Sequence, residues 1–207
     1  MSKKIWIEWI GLWGSGKTTA INDIFKLLDA SEYKISSSQI FFSQNRDKKN
    51  INIIQSNILH ASPRSGILLL KFLYLYIPIY FRASFNKDII VLRELRSFLR
   101  CYLARLSLVN KDTDITMWEG EFHLMPILNL KKKVANNLIN HLFQTNQNRV
   151  NAFVFLKADI ETVKSRIIRD QKEGTNIRFN QKQTNLYIGF LQQFNINQNY
   201  LINMLKE

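Results

Sequence analysis

Residues 4–30 read KIWIEWIGLWGSGKTTAINDIFKLLDA, and within them Gly11-Leu12-Trp13-Gly14-Ser15-Gly16-Lys17-Thr18 fits G-x-x-x-x-G-K-[ST] at every fixed position. An apolar, β-prone run (Ile5, Trp6, Ile7, Trp9, Ile10) precedes the match and a helix-patterned run follows it. A phosphate chain is held by backbone N–H groups turned inward around it, which glycine allows through unusual dihedrals and close backbone approach. Gly11, Gly14 and Gly16 supply that freedom, and the start of the following helix adds unpaired N–H donors and partial positive charge. The cradle expected for a nucleoside triphosphate is Gly11, Trp13, Gly14, Ser15, Gly16, Lys17, Thr18 and Thr19. Lys17 would reach the β- and γ-phosphates and the Thr18 hydroxyl would ligate Mg²⁺. The competing reading, a chance glycine-rich turn, does not explain why all fixed positions and both flanks agree.

Working outward, 207 residues suffice for one three-layer α/β domain, here spanning 1–207. With 46% hydrophobic and 22% charged residues the chain is globular rather than disordered. Lys plus Arg exceed Asp plus Glu by 29 to 16, a formal charge of +13 that favours anionic partners without choosing among them. One cysteine, Cys101, fits a reducing cytoplasm, and its flank FLRCY suggests a packed thiol. The basic, apolar start resembles a signal peptide, but Glu8 interrupts it and the glycine loop follows at once, so a buried first strand is expected.

The pattern predicts a first helix over 17–30, with Ile21, Ile24, Phe25, Leu27 and Leu28 inward, and a short strand over 33–38. Residues 44–50 read as a loop or a frayed helix start, and 51–109 as mostly helical, broken at 62–66 and near Phe85-Asn86. Asp112-Thr113-Asp114 is read as a turn rather than a metal motif, since it precedes a strand (115–118) instead of ending one. Pro126 should introduce a helix over 127–145. A strand at 150–156 follows, then a helix capped by Asp159 to about 171, a loop at 172–180 and a final helix. The segment 66–81, GILLLKFLYLYIPIYF, is almost wholly apolar but short of the ~20 residues that span a bilayer. A buried or groove-lining helix is its first reading and interfacial membrane contact its second.

Alternating strands and helices imply a parallel, doubly wound sheet of four or five strands with a helical insertion, ligands gathering at the carboxyl ends of its strands. Glu119 stands at such an end and can hold Mg²⁺ through water or accept a proton from an attacking hydroxyl. Glu121 and His123 are weaker candidates for the same chemistry, with a solvent-facing position near the pocket mouth as the plain alternative. Arg93, Arg96 and Arg100, with Arg105 beyond, form an expected row for an anionic acceptor. Arg166 and Arg169, with Lys172 and Arg178, precede a glycine-containing loop and suggest a mobile region over 162–180 that closes on phosphates. For both clusters a solvated helix face is the plain alternative.

GLWGSGKTT, WEGEFH at the end of the third strand and VFLKADIETVKSRIIRD together resemble the thymidylate-kinase-like and nucleoside-kinase-like P-loop kinases, over roughly 4–38 and 112–180. The resemblance implies a parallel sheet flanked by helices, ATP with Mg²⁺, and γ-phosphoryl transfer to a small acceptor bound over 51–109. On it, Glu119 matches the acidic residue ending the third strand, and Arg166 and Arg169 match the lid arginines. Trp118 before a lone Glu119 departs from the Asp-led pair common there, and no strand pattern follows 180. The expectation is a cytoplasmic, ATP-dependent kinase of a small anionic acceptor, with a homodimer left open. One rival is a nucleotide-binding switch docking on a membrane or partner through 66–81. Another is a nucleic-acid-end kinase, disfavoured because no basic-aromatic nucleic-acid motif accompanies the charge.

Overall fold

Strand β1 (Ile5–Gly11) lies inside a four-stranded, all-parallel sheet, between β3 (Ile115–Trp118) and β4 (Val150–Leu156), with β2 (Ile35–Ser37) beyond β3. The computed structural model describes residues 4–12, 15–29, 33–37, 63–109, 112–128, 130–145, 150–173 and 181–206. Expectations for 38–62, for Trp13 and Gly14, and for Arg178 lie outside the described residues. Helices α1 (Lys17–Asp29), α2 (Pro63–Phe85), α3 (Ile89–Val109), α4 (Glu121–Leu124), α5 (Lys132–Thr145), α6 (Ile160–Lys172) and α7 (Gln181–Lys206) connect and cover the strands.

Side chains of a strand alternate between faces, so each strand serves two helical layers. On one face Ile7, Trp9, Met117, Val154 and Leu156 cluster with Ile21, Ile24 and Phe25 of α1. On the other, Ile10, Phe153 and Phe155 join a larger core with residues of α2, α3 and α5, while Trp6 and Trp118 pack on Ala104 and Leu108 of α3. This is the expected three-layer parallel α/β arrangement. Cys101 packs beside that tryptophan pair, and burial pushes its thiol well above the ordinary range, as suits an inert packed group. Helix α2 is fixed to α3 by its inner face: the Phe72 and Tyr102 rings stack at 3.8 Å, and the Tyr76 and Tyr102 hydroxyls donate to Leu95 O and Leu68 O, each at 3.1 Å.

Several boundaries differ from expectation. Helix α2 begins at Pro63, inside the expected break, because proline at a first helical position has no N–H to lose. Pro126 lies in a 3₁₀ turn (Met125–Leu128), so the next helix starts only at Lys132. Leu27, expected inward, is 78% exposed. Asp112 behaves as a turn residue, pairing with Lys4 at 2.9 Å and Lys34 at 3.1 Å, while Asp114 accepts from the Lys34 amide at 2.9 Å. Helix α7, not a fifth strand, is described after α6.

The feature the sequence did not announce is a buried charge cluster. Arg105 of α3, with 0% exposure, donates from Nε to Glu121 Oε1 at 2.9 Å and from Nη2 to Glu121 Oε2 at 2.8 Å, and also from Nη2 to Glu8 Oε1. Two indoles complete it: Trp6 Nε1 donates to Glu8 Oε1 at 2.7 Å and Trp118 Nε1 to Glu121 Oε2 at 2.8 Å. Burial opposes the Arg105 charge, but the two carboxylates outweigh it and hold the guanidinium above its ordinary range. One cation between two ionised acids would leave a net negative charge in the interior. Burial first, and the neighbouring Glu121 next among the raising influences, outweigh Arg105 and push Glu8 up to about 7.

Two outcomes follow. Arg105→Met strands two buried carboxylates and should cost roughly 3–5 kcal/mol in urea unfolding. Glu8 holds its proton to about pH 7 in the folded chain but only to its ordinary 4.5 when unfolded. Its stabilising contribution is complete below pH 4.5 and is lost as pH rises through 7. Relative to Glu8→Gln, the wild type should lose stability across that window, by up to ~3 kcal/mol; parallel curves would remove Glu8 as the titrating group.

Candidate functional site

At the carboxyl edge of β1 the chain leaves the sheet through buried Leu12 and re-enters helix at Lys17. Gly16 carries φ +92°, a left-handed backbone that a side chain would strain, and it sits where the loop must turn into α1. The Ser15 amide donates to Leu12 O at 3.1 Å and the Ala20 amide to Gly16 O at 3.0 Å, so the loop closes on itself as the helix begins. Lys17 is only 4% exposed. Its Nζ donates to Gly11 O at 2.9 Å and Leu12 O at 2.8 Å, folding the side chain back over the loop.

β1 and β3 are parallel neighbours in the register Glu8 to Trp118, so both release their chains at the same edge of the sheet. Glu119 is the first residue off β3 and comes to 3.5 Å from Lys17 Nζ, with its side chain 19% exposed. His123, one turn later on α4, places Nε2 at 3.9 Å from the same carboxylate oxygen. Gly120 allows the intervening turn to lie flat on the Trp118 indole, since a Cβ there would stand 2.1 Å from Trp118 Nε1. Beyond it Glu121 is anchored by Arg105 and Trp118. The turn carrying Glu119 is thus clamped at both ends by the buried charge cluster. Glu121 and His123, the weaker candidates whose plain alternative is a solvent-facing position, are 0% and 4% exposed. Burial of the cluster's own carboxylates explains the difference for Glu121; α4, inward along its whole length, explains it for His123.

The arginine row divides. Arg96 and Arg100 are exposed and Arg93 is half-buried, its Nη2 at 2.8 Å from buried Glu94. Arg105 leaves the row: at 100° per residue, twelve positions beyond Arg93, it falls 120° around α3 and enters the core. Arg166 and Arg169 are exposed on α6, Arg169 lying 3.5 Å from Asp170 and 4.0 Å from Glu173 of the same helix end. Thr18 and Thr19 are exposed at the start of α1. Beside the loop, a cavity of about 320 Å³ is lined by Leu12, by Lys157 and Asp159 after β4, and by Asn195, Gln198 and Asn199 of α7.

No protein-family model and no curated protein matches the chain. The donor set itself fits a triphosphate: a buried ammonium at a helix start, and the Ser15 hydroxyl oxygen, buried with no hydrogen-bond partner among the described residues. For a metal, the described residues hold no cluster of three His, Cys, Asp or Glu. Mg²⁺ bound with phosphates needs no such cluster, because one or two protein oxygens, phosphate oxygens and water complete its shell. Thr18 and Glu119 are the residues of the right chemistry to contribute.

Gly120→Ala tests the clamp. The added methyl must displace the Trp118 indole from Glu121, so the variant should lose roughly 1–3 kcal/mol in thermal unfolding and change its near-ultraviolet tryptophan signal. An unchanged signal would mean the turn does not depend on that contact.

Proposed function

We propose that the chain is an ATP-dependent phosphotransferase with a P-loop NTPase fold, passing the γ-phosphoryl group to a small anionic acceptor such as a nucleotide or phosphorylated metabolite. The observation that carries the reading is the convergence of Lys17 and Glu119 at 3.5 Å from opposite halves of the sequence, at the carboxyl edge of neighbouring strands. That convergence supports a phosphate loop over a chance glycine-containing turn.

In this reading the amides of 11–19 hold the phosphates, and Lys17 brings positive charge to the β- and γ-oxygens. Thr18 and Glu119 would hold Mg²⁺, which when bound would neutralise charge on the transferring group. Glu119 is partly exposed and can also accept the proton of the acceptor hydroxyl. The cavity beside Leu12 gives room for the nucleobase, with amides of α7 in place of a further strand's loop. Arg93, Arg96 and Arg100 orient the acceptor, and Arg166 and Arg169 of α6 close over the phosphates. The exposed face of α2 favours a second reading, a nucleotide-binding switch with slow hydrolysis.

Three variants separate these roles, using ADP release with an acceptor panel beside calorimetric ATP affinity. Glu119→Gln should lower acceptor-stimulated turnover by roughly 10²–10⁴ while ATP still binds; near wild-type turnover would remove Glu119 from the chemistry. Lys17→Ala should abolish ATP binding or turnover in a folded protein. The double Arg166→Ala, Arg169→Ala variant should lose kcat more than ATP affinity. Nucleotide binding with no acceptor effect would favour the switch.

A further inference from the structure

Helix α2 has two apolar faces, and only one of them is used inside the molecule. Phe72, Tyr76 and Ala83 are buried against the core. On the opposite side Ile67, Leu70, Tyr74, Ile77, Phe81 and Phe85 recur at intervals of three and four, and all are exposed, Leu70 at 69%, Tyr74 at 81% and Phe85 at 84%. The stripe runs the length of the helix and continues to Ile89, 71% exposed at the start of α3. Soluble surfaces seldom carry a contiguous apolar strip of this kind unless it contacts something.

Charge beside the stripe identifies what. Arg64, Lys71 and Arg82 are exposed and spaced by seven and eleven residues, so at 100° per residue they form one column along a single border of the apolar face. The helix contains no Asp or Glu. The adjoining groove between α2 and α5, about 530 Å³, is lined by Leu70, Lys71, Tyr74, Asn137, Asn140 and Gln144. Lys133 shares the α5 face of those amides by its spacing of four, three and four, so cations and amide donors flank the groove. A second copy of this helix would bring no acid to these cations, since it contains no Asp or Glu, whereas an anionic lipid surface offers both an acyl boundary for the stripe and phosphates for the column and groove.

We propose that α2 is a membrane-docking helix that lies in the plane of an anionic bilayer, its exposed stripe at the headgroup–acyl boundary and Arg64, Lys71 and Arg82 on the lipid phosphates. It lies on the bilayer rather than crossing it. Its inner face is committed to α3 by ring stacking and by the Tyr76 and Tyr102 hydrogen bonds, which a spanning helix would have to give up. The inference stands apart from the phosphotransferase reading, because it uses none of the residues of that site.

The test is co-sedimentation of the full chain with vesicles of phosphatidylglycerol and phosphatidylcholine, beside pure phosphatidylcholine, together with sedimentation velocity without lipid. The wild type should bind the anionic vesicles and release in high salt. Lys71→Glu and Arg82→Glu should each weaken binding by at least about fivefold. Leu70→Ser with Tyr74→Ser should abolish it while leaving thermal unfolding unchanged, since both side chains face outward. Absence of binding to anionic vesicles, or binding that survives the stripe variant, would overturn the proposal. A lipid-free dimer that the stripe variant dissociates, in a protein that ignores vesicles, would assign the face to a second copy.

Discussion

The Arg105 guanidinium is the constraint on which the rest of the molecule depends. It bridges Glu8 in the central strand and Glu121 just beyond the neighbouring strand, with the Trp6 and Trp118 indoles donating to the same carboxylates. Buried ions tolerate little displacement, because each lost contact leaves a charge without solvent. The cluster therefore fixes three things at once: the position of α3 over the sheet, the exit of β3, and the turn that holds Glu119 toward Lys17. Here a charged link in the core sets the geometry of buried Lys17 and partly exposed Glu119.

That arrangement divides labour between two acids two residues apart. Glu121 is wholly enclosed and spends its oxygens on Arg105 and Trp118, so it serves the architecture. Glu119 keeps partial access to solvent and stands beside the ammonium at the loop. The glycine between them is what allows one acid to face inward and the other toward the loop.

Much of this was legible in the sequence where the signals are local. The strand before the glycine-containing segment, the helix after it, the Asp159 cap and the helix that the cap starts all depend on residues within a few positions of one another; the cap, for example, is the Asp159 carboxylate accepting from the Thr162 amide at 2.9 Å. The charge cluster was not legible by the same means, because Arg105 and Glu8 lie 97 positions apart. Two hints existed. A single acid inside an apolar strand needs a buried base, and twelve residues of helix carry Arg105 well off the face that Arg93 occupies. The apolar run in α2 was recognised, but periodicity alone could not say that both of its faces are apolar and only one is covered.

The central claim is that the loop closed by Lys17 and faced by Glu119 holds a nucleoside triphosphate. Amide hydrogen exchange of the wild-type chain, with and without MgATP, examines it without requiring an acceptor. The account predicts strong protection over 11–19, with weaker protection at the turn around 119–121. Saturating MgATP that leaves 11–19 unprotected would contradict it.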